Sequence, residues 1–181
     1  AFVEAKGFEC YVPMRYKEVK KHDKKRSITE PLLPSFLFVH VTAEQVETLI
    51  HDNKVVTNER RALLSYYFDH TIHRQDNSYC NPPLTIQNEA MNNFISLTSI
   101  KNPHIIPITS DNIQFKLGDN VVVTEGEFKG IHGRVARIAG QQRVVVELFD
   151  GCLVATAYVP REAMRKNITQ VVIATKLNMI R

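Results

Sequence analysis

An apolar run at residues 31–41, PLLPSFLFVHV, is rich in aromatic and β-branched residues and has almost no polar alternation. This pattern is typical of a strand buried on both faces. Pro34 cannot donate a hydrogen bond to a neighbouring strand, so it should stand at the start of the strand. Phe36 and Phe38, two residues apart, should then lie on the same face. We predict that this strand is the centre of an N-terminal domain.

The residues before this run predict two short elements. Residues 1–7 have the pattern of a helix end that Gly7 closes, and residues 8–13 alternate like a strand. The sequence opens in the middle of a pattern, so we expect that further residues precede it.

The residues after the run predict two helices. Thr42 and Gln45 have the spacing of a capping box, which begins a helix that should end near Asn53. Residues 55–57 and 63–68 are typical of strands, and residues 69–83 of a loop. The apolar positions of the second helix begin after Thr85 or Asn88 and extend through Met91, Phe94, Ile95 and Leu97.

A different rhythm follows a proline-containing stretch at residues 103–112, which we take as a linker. Alternating valines and glycine-bearing turns between residues 113 and 167 predict short antiparallel strands of a small SH3-like barrel. We assign no element to residues 168–181, which form a C-terminal tail.

Charge changes this picture at one place. The whole chain carries a formal charge of +4, with a pI of about 9.0. Residues 15–26 alone contain seven basic and two acidic residues. Two interpretations stay open: a solvated hairpin tip, or a mobile arm whose cations reach phosphates and release counterions.

Cysteine and histidine positions argue against a disulfide framework and a structural zinc site. Three cysteines are widely spaced without a Cys-x-x-Cys pair, which fits a reducing cytosol. His70 and His73, with Asp76 and Cys80 nearby, have no fixed metal-binding geometry, so we expect exposed loop histidines. With no apolar run of membrane-spanning length and no signal peptide, we expect a protein that is soluble and not exported. We find no nucleophile–base set and no phosphate-binding loop, so we expect neither an enzyme nor a cofactor.

The glycines and valines after residue 117 have the spacing of a KOW motif, Gly118-Asp119-x-Val121-x-Val123-x-x-Gly126-x-Phe128-x-Gly130-x-x-Gly133-x-Val135. Gly126 and Gly133 would permit a positive φ in a hairpin loop. Tyr11-x-Pro13, the basic run and residues 31–39 are similar to the N-terminal (NGN) domain of NusG-type factors. Together these motifs resemble the specialised antiterminators RfaH and especially the UpxY regulators of capsular polysaccharide operons.

The resemblance has departures. Ser35 stands where the family usually has Gly or Asn, and Leu33 stands where it has a bulkier aromatic residue. The family's opening strand and most of its first helix are absent from the sequence, which we attribute to truncation or disorder.

The resemblance implies an α+β protein: an NGN domain at residues 1–102, with an antiparallel sheet flanked by helices, the linker, and a KOW barrel at residues 113–167. It implies a cytoplasmic transcription elongation or antitermination factor whose N-domain binds the clamp helices of RNA polymerase. The pocket that receives the clamp helices would consist of Leu33, Pro34, Phe36, Phe38 and Tyr66. Non-template DNA or nascent RNA would meet Lys20, Lys21, Lys24, Lys25, Arg26, Arg60 and Arg61. A ribosomal protein or termination factor would contact Phe128, Ile131 and Phe149.

Two further expectations separate the alternatives. RfaH stores its C-domain as a helical hairpin that masks the pocket, whereas the valine rhythm of residues 121–148 favours strands here. The alternative function is a ribosome-associated or RNA-binding KOW protein. It is disfavoured because residues 113–167 carry eight basic and six acidic residues, close to balance.

Overall fold

The computed structural model describes residues 2–21, 24–56, 64–72, 81–108 and 114–166, without the side chains of residues 21, 54–56 and 114–119. The helices are α1 (Phe2–Ala5), α2 (Ala43–Val56) and α3 (Asn88–Thr98), with a short 3-10 helix at Arg161–Ala163. The first five strands are β1 (Glu9–Tyr11), β2 (Met14–Lys21), β3 (Lys24–Pro31), β4 (Phe38–His40) and β5 (Ile106–Ile108). The others are β6 (Gln114–Val123), β7 (His132–Ile138), β8 (Gln141–Phe149), β9 (Cys152–Tyr158) and β10 (Met164–Lys166). The architecture is mixed α+β.

The N-terminal helix end and the strand after it are confirmed. Gly7 has a φ of +80°, and its N–H donates to the carbonyl oxygen of Glu4 at 2.9 Å. Strand β1 pairs antiparallel with β4, with Tyr11 opposite Phe38. The hydroxyl groups of Tyr11 and Thr98 lie 2.6 Å apart, which connects this pair of strands to the end of α3.

The prediction of one long, fully buried strand at residues 31–41 is wrong. Pro31 ends β3, residues 32–37 form a turn and a bend, and only Phe38–His40 is a strand. The chain reverses because the Phe36 N–H donates to the Leu33 carbonyl at 3.3 Å and Ser35 adopts a left-handed φ of +67°. This conformation explains why Gly or Asn suits the position of Ser35.

Helix α2 begins as predicted but extends further. The Thr42 N–H donates to Gln45 Oε1 at 2.8 Å, and the Gln45 N–H donates to Thr42 Oγ1 at 3.3 Å, which confirms the capping box. Asn53 does not end the helix: its side chain is fully buried and its Oδ1 accepts the Leu64 N–H at 2.9 Å. The predicted strand at residues 55–57 is wrong, because its first two residues are helical.

Residues 64–72 and 81–87 contain no ladder strand. The predicted strand at residues 63–68 is therefore wrong over its described part, where a single bridge joins Phe68 to Pro83. The predicted helix after Asn88 is confirmed, and its Phe94 and Leu97 are fully buried.

Residues 15–21 and 24–26 belong to a hairpin of two eight-residue strands, β2 and β3. The side chains of β3 are exposed on both faces except for Glu30, which is partly covered. A two-stranded hairpin exposed in this way contributes little to a core.

The C-terminal half forms one antiparallel sheet of six strands in the order β10-β6-β7-β8-β9-β5, which we call the C-terminal sheet. It confirms the predicted strands, in agreement with the valine rhythm, and is consistent with a β-barrel. Strand β5 lies inside the predicted linker and pairs with β9, with Pro107 opposite Val154. The domain boundaries stay a prediction, and the tail at residues 168–181 lies outside the described residues.

One glycine of the KOW motif has a different role from the one predicted. Gly126 has a φ of +79°, as expected, but Gly133 does not have a positive φ. A Cβ at Gly133 would lie 2.4 Å from the carbonyl oxygen of Val145 and 2.7 Å from Val144 Cγ1. Gly133 is therefore needed for the close approach of β7 and β8, not for a turn.

The N-terminal part and the C-terminal sheet share one hydrophobic core. Leu32, Phe94 and Leu97 belong to the same buried cluster as Val121 and Val144. Polar contacts join the same parts. The side chain of Asn93 accepts the His132 N–H at 2.9 Å and donates to the His132 carbonyl at 2.8 Å.

Candidate functional site

Four aromatic rings meet where the N-terminal part contacts the C-terminal sheet; we call Phe36, Phe38, Tyr67 and Phe149 the ring cluster. The centroid of Phe36 lies 6.5 Å from Phe38, 5.1 Å from Tyr67 and 6.0 Å from Phe149. The Tyr67 and Phe149 centroids are 5.6 Å apart. Aromatic pairs at such distances attract each other beyond the effect of simple burial.

The turn at residues 32–37 positions the two phenylalanines differently. Phe38 faces inward, with its ring in edge contact with the fully buried Phe94 at 6.0 Å. Phe36 stands between Phe38 and the outer rings and is half-buried. The two neighbours in the predicted pocket also differ, because Leu33 packs against the core while Pro34 is exposed.

Tyr67, not the predicted Tyr66, joins the ring cluster. Tyr66 contacts Phe68 at 6.0 Å, and burial raises the pKa of its phenol, with a smaller effect from the negative charge of Glu47. Tyr67 is 44% exposed although it touches Phe36 and Phe149. In the sequence Tyr-Tyr-Phe, alternation restricts the choice to two faces but does not say which face meets Phe36.

The three residues predicted to bind a partner of the C-terminal sheet are not equivalent. Phe128 is 6% exposed and Ile131 is 2% exposed, and both lie in the shared core. The expectation that they are exposed is wrong, because the turn at residues 126–131 folds back: the Ile131 N–H donates to the Phe128 carbonyl at 3.0 Å. Phe149 is half-buried and belongs to the ring cluster.

The hairpin has different electrostatics at its two ends. At its base, Glu30 forms ion pairs with Lys17 and Arg15. The hydrogen bond from Lys17 is the main cause of the lowered pKa of Glu30, and Arg15 acts in the same direction.

At the free end of the hairpin, lysines face lysines. The register places Lys20 opposite Lys25 and Lys21 opposite Lys24, and we call these four residues the tip lysines. Like charges directly across a strand pair destabilise it. Lys25 has an ion pair with Glu18, but the atoms are 3.4 Å apart and both side chains are mostly exposed. Arg26 is also exposed.

Arg60, Arg61, His73, Asp76 and Cys80 lie outside the described residues. Within the described ranges, His, Cys, Asp and Glu side chains form no group of three that could hold a metal ion. In the same ranges, each helix is too short or too polar to span a membrane.

Part of the chain is similar to a known protein family. Residues 1–62 match the family model described as transcription termination factor nusG. The match supports a NusG-like factor and indicates a role in transcription elongation or termination. It covers about a third of the chain, including the hairpin, Phe36 and Phe38, but not Tyr67 or Phe149. No curated protein matches the chain significantly.

Proposed function

We propose that this protein is a transcription antitermination factor that binds the clamp helices of RNA polymerase through the Phe36 side of the ring cluster. Its specialisation would be that of the UpxY and RfaH factors, in an operon such as one for capsular polysaccharide synthesis. The observation that carries this proposal is the half-buried Phe36, inside the segment that matches the NusG family and flanked by the exposed Pro34.

The chemistry of the surface suits a helical partner. An amphipathic helix binds a groove through a few apolar anchors, and aromatic side chains supply most of the affinity at such interfaces. Phe36 and Tyr67 offer adjacent rings, while Phe38 supports them from the core side through Phe94. Leu33 and Pro34 lie in the same turn as Phe36. Among the described residues, the ring of Tyr66 makes no aromatic contact with the ring cluster, and Tyr66 is relevant only because it precedes Tyr67 in the chain.

Phe149 covers part of this surface. Because it contacts both Phe36 and Tyr67, a polymerase helix would have to displace it. Binding to polymerase and release of the C-terminal sheet are then linked in one equilibrium. Release would also expose Phe149 for a ribosomal protein or termination factor; Phe128 and Ile131, being buried, are not part of this proposal.

The hairpin would supply the contact with nucleic acid. Like charges opposite each other, as at Lys20 and Lys25, cost stability in the free protein, and phosphates would remove that repulsion. Arg26 extends the same charge along β3, and Arg60 and Arg61 remain candidates for contact with the displaced DNA strand.

The test is transcription in vitro on a template with a terminator, together with capture of purified RNA polymerase by the full chain. The protein should increase read-through, and Phe36→Ala should weaken polymerase capture at least tenfold, since it removes the central anchor. Ile72→Ala is the control, because Ile72 is 43% exposed and lies outside the ring cluster.

Equal capture by Phe36→Ala and the unchanged protein would contradict the proposal. Binding to ribosomes or RNA without any polymerase capture would favour the alternative, a ribosome-associated or RNA-binding KOW protein.

A further inference from the structure

A groove on the C-terminal sheet, apart from the ring cluster and the hairpin, has a volume of about 490 Å³. It lies where β7 turns into β8 and where β9 leads to the short 3-10 helix. Its walls include Arg137, Gln141, Gln142, Tyr158, Arg161 and Glu162. Pockets of several hundred Å³ are the usual size for small ligands or for one unit of a polymer.

Tyr158 presents an open aromatic ring to this groove. It is 58% exposed, more than any other exposed large hydrophobic residue in the described part of the chain. Its ring contacts no other aromatic ring, and its hydroxyl makes no hydrogen bond, among the described residues. Val159, the next residue, is buried and anchors this part of the chain to the core.

Two exposed arginines share the groove with this ring. Arg137 and Arg161 form no ion pair within the described residues, and Glu162 is the acidic residue in the walls. Elsewhere in the same sheet, Arg134 is paired with Glu147 at 2.8 Å. The near balance of charge over residues 113–167 therefore conceals a local excess of positive charge.

A third guanidinium, that of Arg143, is connected to a wall of the groove through Gln141. Arg143 is 8% exposed and donates to the carbonyl oxygens of His104 at 2.9 Å and Thr156 at 3.1 Å. It also donates to Oε1 of Gln141, which lines the groove, at 3.1 Å. These acceptors are neutral, its Nε has no partner in the described structure, and burial lowers its pKa. A nearby anion would stabilise this buried charge.

We propose that this groove binds single-stranded nucleic acid, with a base stacked on Tyr158 and phosphates paired with Arg137 and Arg161. An exposed aromatic ring beside basic side chains is the arrangement by which proteins hold single strands without reading sequence. An acidic peptide would satisfy the arginines but would leave the face of the tyrosine without a matching flat partner. The site shares no residue with the ring cluster, so it does not depend on the proposed binding to polymerase.

The experiment measures fluorescence anisotropy of labelled ten-residue oligouridylate and oligothymidylate with the full chain. Tyr158→Leu should weaken binding at least about fivefold, because stacking of one base is lost. Tyr158→Phe keeps the ring and should bind within about twofold of the unchanged protein. The hairpin is unchanged in each variant, so the difference between Tyr158→Leu and Tyr158→Phe reports on the groove.

The arginines are tested by salt dependence. In Arg137→Gln with Arg161→Gln, the slope of log K against log salt should fall by about 1.4, the value for two phosphate contacts on a single strand. Lys129→Gln with Arg165→Gln is the control, because it removes the same charge from exposed positions outside the groove. This control should keep the slope of the unchanged protein.

Unchanged oligonucleotide binding by Tyr158→Leu, or equal slopes in the two double variants, would overturn the proposal. An acidic peptide whose binding needs Tyr158 would in that case identify the partner of the groove. Photocrosslinking of 5-iodouracil in the oligonucleotide should label Tyr158, and labelling confined to the hairpin would also overturn it. Tighter binding of one oligonucleotide identifies RNA or DNA as the source of the single strand.

Discussion

Phe149 and Phe36 are the two partners of one ring contact. Removing one ring should therefore strengthen binding to polymerase, and removing the other should weaken it. Phe149→Ala uncovers the Phe36 side of the ring cluster, while Phe36→Ala removes the proposed anchor itself. Both variants lose the ring pair with centroids 6.0 Å apart. A general loss of stability would weaken both, whereas a covering role for Phe149 predicts tighter binding for one and weaker binding for the other.

The size of the effect follows from the rings that Phe149 touches. It has two aromatic pairs, with Phe36 at 6.0 Å and Tyr67 at 5.6 Å. Each pair contributes about 0.5–1.5 kcal/mol, so Phe149→Ala removes about 1–3 kcal/mol from the covered form. The uncovered population then rises about 5- to 150-fold, and the apparent Kd for polymerase falls by the same factor while that form remains a minority.

The assay is titration of immobilised RNA polymerase with the full chain and its variants, with urea unfolding measured in parallel. Phe68→Ala is the control, because Phe68 is 37% exposed and contacts Tyr66 instead of the ring cluster. A double-mutant cycle on unfolding should give a coupling energy of about 0.5–1.5 kcal/mol between Phe36 and Phe149. Weaker or unchanged polymerase binding by Phe149→Ala would refute the covering role.

Three further predictions concern other parts of the molecule. Changing all four tip lysines to Glu keeps like charges opposite each other, so the hairpin should stay folded. Antitermination and the salt dependence of DNA binding should both decrease, and an unchanged salt slope would identify the tip as solvated charge only. Gly133→Ala should lower the free energy of unfolding by at least about 2 kcal/mol, because its methyl group would meet the Val145 carbonyl. Gly130→Ala, at a φ of +88° in open space, should lower it by about 1 kcal/mol. Equal losses in urea unfolding would contradict this reasoning. Burial raises the pKa of Cys152 from its ordinary 9.0 to about 11, so its thiol stabilises the fold fully below pH 9 and loses this effect towards pH 11. Between these pH values, the free energy of unfolding of the unchanged protein should fall by up to about 1.4 kcal/mol per pH unit more than that of Cys152→Val. Parallel pH profiles would show that the thiol is not buried.

Local chemistry in the sequence was enough to predict several elements. The capping box at Thr42, the glycine end of α1, helix α3 and the strands of the C-terminal sheet depend on neighbours within a few residues. For the basic run at residues 15–26, a hairpin was one of the two interpretations that the sequence left open. The sequence shows that Phe36 and Tyr67 lie in two aromatic stretches, but it does not show that their rings meet in one cluster.

Long-range packing decided the rest. The apolar run at residues 31–41 satisfies a strand pattern, but its prolines and the left-handed Ser35 turn the chain so that Leu32 enters the core and Phe36 meets Phe149. Hydrophobicity could not distinguish the buried Phe128 from the half-buried Phe149, since both stand near turns of similar composition. The sequence by itself determined which segments are helix or strand wherever short-range hydrogen bonds and periodicity suffice. Only the tertiary structure decided which rings are covered, because burial depends on surfaces that meet across more than a hundred residues of chain.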